Sequence, residues 1–166
     1  LLGILLVYMI MAAQFESLLD PFLILFTIPL SLIGVIWLLF LTGTEFNVVG
    51  FIGAIILLGI VVNNGIVLID YTKQLREKHG FGLFEAIIEA GKTRLRPVLM
   101  TSLTTIVGMM PLALKTGSGS EVKPMAVTII GGLTVSTILT LIFLPTLYSI
   151  VESYIIRRRR EKLEGK

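Results

Sequence analysis

An all-α, polytopic membrane bundle is the fold class this sequence predicts, on three observations. Hydrophobic residues make up 55% of the 166 residues and charged residues only 15%, more apolar surface than a water-soluble domain of this length can bury. The apolar residues gather into runs long enough to cross a bilayer, which takes roughly 20 residues at about 1.5 Å each. Charges and turn residues are confined to the gaps between the runs.

The elements follow in order. Residues 1–14 supply the later part of a first span, truncated at its start, because Leu1 opens in mid-run with no methionine or charged leader before it. QFESLLDP then makes a tight turn, with Pro21 suited to the first turn of a new helix. The second span covers 21–41, with Pro29 as a kink, and TGTEFN ends it. The third covers 48–71. The charged, glycine-broken KQLREKHGFG follows, and in 83–92 Leu83, Phe84, Ile87 and Ile88 recur at helical spacing opposite Glu85 and Glu89. That pattern predicts a short amphipathic cytoplasmic helix at the membrane surface, between the third and fourth spans. The fourth span covers 98–114, KTGSGSEVKP is a polar loop, and the fifth span covers 125–151. The transmembrane domain thus occupies 1–154, and 155–166 is a basic tail.

The formal charge of +3 does not point to nucleic acid, because the basic residues flank hydrophobic spans instead of forming one patch interleaved with aromatics. Lys73, Arg76, Lys78, Lys92, Arg94 and Arg96 form one group. Arg157 to Arg160 with Lys162 and Lys166 form the other. Two spans separate the groups, so both fit on the cytoplasmic side, with the C-terminus cytoplasmic and the TGTEFN and KTGSGSEVKP loops outside. The tail reads as a solvated basic end against anionic lipid. The chain has no cysteine, which removes disulfides, thiol catalysis and cysteine-based metal sites. His79 has no second ligand at metal-binding spacing, and no nucleophile and base pattern or phosphate loop occurs, so neither a metal, a cofactor nor an enzyme activity is expected.

Within GIVVNNGIVLIDY, Asn63 and Asn64 interrupt the third span. An amide in hydrocarbon needs a partner, and interhelical bonds of this kind contribute about 0.6 kcal/mol on average. Asn63 shares a face with Gly59, Val67 and Asp70, and Asn64 shares one with Ile60, Leu68 and Tyr71. Polar groups at membrane depth are functional candidates, against the plainer reading that they glue helices together. In the fourth span Thr101, Thr104, Thr105 and Gly108 form a hydroxylated stripe, although each threonine could simply bond its own backbone. In the fifth, Gly132, Ser136 and Thr140 repeat every fourth residue, a small-residue seam for close helix packing. Asp70 sits at the end of its span and reads as an interfacial anion with Lys73 or Arg76 nearby rather than a proton carrier.

Four stretches in register resemble the resistance-nodulation-division (RND) superfamily of exporters, in its acriflavine-resistance-like branch. They are AAQFESLLDPF with IPLSLIGV, GIVVNNGIVLIDY, TRLRPVLMTSLTTIVGMMPLAL, and TGSGSEVKPMAVTIIGGLTVSTILTLIFLPTLYS. The resemblance implies a proton-driven efflux antiporter of drugs or other amphiphilic compounds in the bacterial inner membrane, usually a homotrimer of twelve-helix protomers. This chain would supply about spans eight to twelve. The N-terminal membrane half and the extracytoplasmic porter domains would lie outside it, with a periplasmic adaptor and an outer-membrane channel as further partners. Asn63 would stand where many drug exporters carry a lysine facing paired aspartates of the other half. Asn64, Thr101 and Arg94 would match neighbours in the same proton-relay network. Replacing that lysine by an amide leaves a sodium-coupled exporter open, and the stretches also suit the heavy-metal branch. A non-transporting membrane scaffold or partner subunit is the reading from a different class.

Overall fold

The computed structural model describes residues 2–117 and 120–164, so Leu1, the tip of the KTGSGSEVKP loop and the end of the basic tail lie outside the described residues. Five helices form: α1 (Leu2–Phe15), α2 (Leu19–Thr42), α3 (Val48–His79), α4 (Leu83–Ala113) and α5 (Lys123–Glu164), the last preceded by one 3-10 turn over Ser120–Val122. No strand occurs among the described residues. Helices α2 to α5 are each long and apolar enough to cross a membrane, and α1 is a shorter apolar helix. The predicted all-α bundle is what forms.

Its helices run further than the apolar runs that mark them. The expected surface helix over 83–92 and the fourth span over 98–114 are one continuous helix, α4, which passes through TRLRP with Pro97 inside it. The fifth span likewise continues into the basic tail as α5. Arg, Lys and Glu are good helix formers, so a charge marks the edge of the bilayer without ending the helix. Chain reversal requires a local device instead. Gly80, with φ of +68°, closes α3 in the left-handed region that favours glycine, and Asn47 Oδ1 opens α3 by accepting from the Gly50 N–H at 3.0 Å.

The long helix α5 is central and packs against α2, α3 and α4. Glycine permits this. A Cβ placed on Gly34 of α2 would meet the Gly131 carbonyl of α5 at 2.4 Å, and one on Gly131 would meet the Gly34 carbonyl at 2.6 Å. Backbones therefore touch, as in small-residue helix crossings in lipid. Around this crossing Val35, Leu57, Val61 and Leu133 form one buried cluster. A second cluster, with Ile24, Ile69, Ala86 and Leu144, lies towards the end where α3 turns into α4.

At that end the loops are tied by ions. Lys73 Nζ lies 2.5 Å from Asp20 Oδ2 and donates to the Phe15 carbonyl at 2.9 Å. The Asp20 contact is an ion pair and not an aligned hydrogen bond. One ammonium thus joins the last turn of α1 to the first turn of α2, the signs that the helix dipoles favour. Arg76 Nη1 donates to Glu152 at 2.8 Å and to the Tyr148 hydroxyl at 3.4 Å, which fastens α3 to α5. Gly43 and Thr44 share a cavity with Lys115, Lys123 and Pro124 at the other end. The loops thus segregate to two ends as the charge pattern requires.

Asp20 is only 5% exposed, so removing its cation should be costly. Lys73→Met is expected to destabilise the bundle by about 2 kcal/mol or more through the unpaired buried carboxylate. The double variant with Asp20→Asn should recover part of that loss. Thermal unfolding in detergent reads both, and a single variant as stable as the parent would refute the assignment.

Candidate polar face of the bundle

Helix α3 presents Gly53, Ala54, Leu57, Val61, Gly65, Leu68 and Thr72 to the interior, all buried. Asn63 is two residues on from Val61, about 200° round the helix, and it is exposed. Asn64 lies about 60° from the core direction, and is half-buried between Ile60 and Tyr71 on the flank of the helix. Neither amide makes a hydrogen bond within the described residues. The described residues therefore do not supply the partner that an amide in hydrocarbon needs at Asn63, and its amide opens outward.

The hydroxyl stripe of α4 behaves in the same way. Thr101 is exposed and donates to the carbonyls of Pro97 and Val98 at 3.2 and 3.0 Å. The exposed Thr104 donates to Met100 at 2.7 Å, and Thr105, half-buried, donates to Thr101 at 2.8 Å. Each hydroxyl spends its proton on its own helix, and its oxygen keeps a free lone pair. Arg94 and Thr101 lie seven residues apart, two helical turns along one line. The Arg94 guanidinium sits 4.8 Å over the Tyr71 ring, joining α4 to α3. Its Nε is buried without an acceptor, and no carboxylate pairs with it among the described residues.

Asp70 has a different partner from the one expected. Its Oδ2 accepts from Gln74 Nε2 at 2.8 Å, while Lys73 and Arg76 are committed to Asp20 and Glu152. The reason is angular: residues three or six positions on from Asp70 point towards the α1–α2 turn and α5, whereas Gln74, four on, lies directly above it. His79 stacks on Phe81 at 6.2 Å, and no trio of His, Cys, Asp or Glu that could hold a metal occurs among the described residues.

The small residues of α5 face the interior of the bundle. Gly132, Ser136 and Thr140 are all buried, and a Cβ on Gly132 would lie 2.0 Å from Leu57 Cδ2. A buried polar link escaped the sequence reading. The Ser102 and Thr137 hydroxyls meet at 2.7 Å between α4 and α5. Each stands next to a residue that was singled out, Thr101 and Ser136, and the stripe and seam could not show which side of each helix faces the other.

Apolar helices long enough to cross a bilayer, with amides and hydroxyls on an outward face, define a polytopic membrane protein with a polar outward face. The chain belongs to the AcrB/AcrD/AcrF family, whose profile matches residues 1–152, in agreement with the resemblance to RND exporters. It is 43% identical over 156 residues to the swarming motility protein SwrC of Bacillus subtilis (strain 168), covering 93% of this chain and 15% of that protein. It is 38% identical over 143 residues to the multidrug resistance protein MdtC of Erwinia amylovora (strain ATCC 49946 / CCPPB 0273 / Ea273 / 27-3), covering 86% of this chain and 14% of that one. A crystal structure of a heavy metal efflux pump superposes with a TM-score of 0.81 at 36% identity, over 90% of this chain and 15% of the pump. The chain thus spans about 15% of the length of the relatives it matches.

Proposed function

We propose that this chain forms part of a proton-driven secondary exporter of drugs or other amphiphilic compounds. In this reading the face carrying Asn63, Asn64, Thr101 and Arg94 is one side of its intramembrane proton-relay site. The observation that carries the proposal is the outward, unpartnered Asn63 at the middle of a membrane span, in a chain whose relatives include a protein named for multidrug resistance. An exposed amide against hydrocarbon is unfavourable, so the face is best understood as meeting other helices that complete a polar pathway. Those helices, the extracytoplasmic substrate domains, the trimer, and an adaptor with an outer channel belong to the larger assembly that we propose around it. The ion-tied end of the bundle with both basic groups is the cytoplasmic one, in the bacterial inner membrane. The superposition on heavy metal efflux pumps favours a metal cation as the second substrate reading.

The test uses the position where the resemblance places a lysine. An ammonium beside carboxylates favours their ionised form and lowers their pKa, whereas an amide supplies no such charge. Export by the complete protein carrying Asn63→Lys should therefore have its acid limb displaced to lower pH, by about one unit, relative to the asparagine form. An unchanged pH profile would contradict the proposal, and export driven by a sodium gradient alone would replace the proton by an alkali cation.

A further inference from the structure

Helix α4 has a second apolar side that nothing among the described residues covers. Phe84, Ile88, Leu95 and Leu99 are 66%, 56%, 45% and 38% exposed. Their spacing of four, seven and four residues keeps them on one line of the helix, with Gly91 at the intervening step. The packed side is the opposite one, where Ala86 and Ala90 are fully buried and Leu83 and Ile87 join the core. The ridge is therefore additional to the face that holds α4 in the bundle.

Its depth follows from its neighbours. Ile87 adjoins Leu68, Ile69 and Thr72 around a small cavity, and Arg94 reaches Tyr71. The first half of α4 runs beside the last apolar turns of α3, at the level where hydrocarbon gives way to headgroups. Lys92 and Arg96 are exposed along the margin of the ridge and have no carboxylate partner among the described residues. Glu85 and Glu89 share that margin nearer the start of the helix, turned about 100° away from Phe84 and Ile88, and Glu85 Oε2 accepts from the Gly82 N–H at 3.4 Å. The unpaired Lys92 and Arg96 beside the ridge match a negatively charged leaflet.

We propose that this ridge docks into the headgroup boundary of the membrane and that Lys92 and Arg96 hold the phosphates of anionic phospholipids. Helix α4 does so edge-on while packed in the bundle, not as a separate helix lying flat. The ridge passes without interruption into the outward residues of the span, Leu99 and Leu103, so one lipid-facing surface runs from acyl chains to headgroups.

Residues 1–166 contain no cysteine, so single labels can be placed in the complete protein once any cysteine elsewhere is replaced. A fluorophore on Phe84→Cys or Ile88→Cys, in vesicles of phosphatidylcholine and phosphatidylglycerol, should be quenched by acyl-chain nitroxide lipids. The quenching should exceed that at Glu85→Cys or Glu89→Cys by about threefold or more. Nitroxide phosphatidylglycerol should quench more than nitroxide phosphatidylcholine, and Lys92→Gln with Arg96→Gln should remove roughly half or more of that excess. Iodide quenching at 84 and 88 as strong as at 89 would overturn the proposal by placing the ridge in water. Protection from both quenchers would overturn it by showing that protein covers the ridge. Equal quenching by the two lipids would overturn the role of the cations.

Discussion

Asn63→Leu is expected to abolish or strongly slow export by the complete protein, by about tenfold or more, while the protein stays folded in the membrane. The asymmetry follows from where the residue lies. Asn63 is exposed within this bundle and makes no hydrogen bond among the described residues, so none of the contacts that hold α2, α3, α4 and α5 together depends on it. A leucine there should leave thermal stability within about 0.5 kcal/mol, as for other surface positions. A relay loses a hydrogen-bonding group at the point where charge must move, and desolvation of nearby ions without that group is costly. Export measured against membrane abundance separates the two effects. Full export by the leucine variant would favour the scaffold reading, in which the amide only adjusts helix association.

Gly131→Leu should act in the opposite way, on the bundle itself. The Cβ of any side chain at Gly131 would lie 2.6 Å from the Gly34 carbonyl and 2.7 Å from Leu38 Cβ. One of these contacts is backbone and cannot swing aside as a flexible side chain could, so α2 and α5 must separate. Overpacking costs typically 1–3 kcal/mol and sometimes more, and here it also opens the Val35, Leu57, Val61 and Leu133 cluster beside it. A loss of at least about 3 kcal/mol is expected, seen as a lower midpoint of thermal unfolding in detergent and reduced folded protein in membranes. Gly108→Leu is the control, since a Cβ there meets nothing within 4 Å. Equal stability of the two variants would show that the crossing does not hold the bundle.

These two residues also show how far the sequence could be read. Lengths of apolar runs and the gaps between them were enough for the bundle and its turns, because both follow from the bilayer thickness and from local caps. The continuity of α4 through 93–97 and the extension of α5 beyond 151 were not legible. Hydropathy reports where lipid stops, whereas Arg, Lys and Glu continue a helix into water. Asn63 and Thr101 were identifiable as polar groups at membrane depth, but their outward direction was not. That direction depends on which flank of α3 carries the core, and Gly53, Leu57, Val61 and Gly65 settle it only once α5 lies against them. Lys73 was expected near Asp70 because they are close in sequence. Its ion pair with Asp20 spans the chain and needed the turn between α1 and α2 to be placed. The Ser102 to Thr137 link depends equally on a helix pairing that no spacing rule contains.

Proton flux is the most direct test of the central proposal. The complete protein is reconstituted in vesicles with an internal pH dye, a pH gradient is the only ion gradient imposed, and proton uptake is followed on adding transported substrate. A relay face containing Asn63 predicts substrate-dependent proton uptake by the asparagine form and a loss of about tenfold or more in Asn63→Leu. Equal proton flux in the two forms, or export with no proton flux in either, would contradict it.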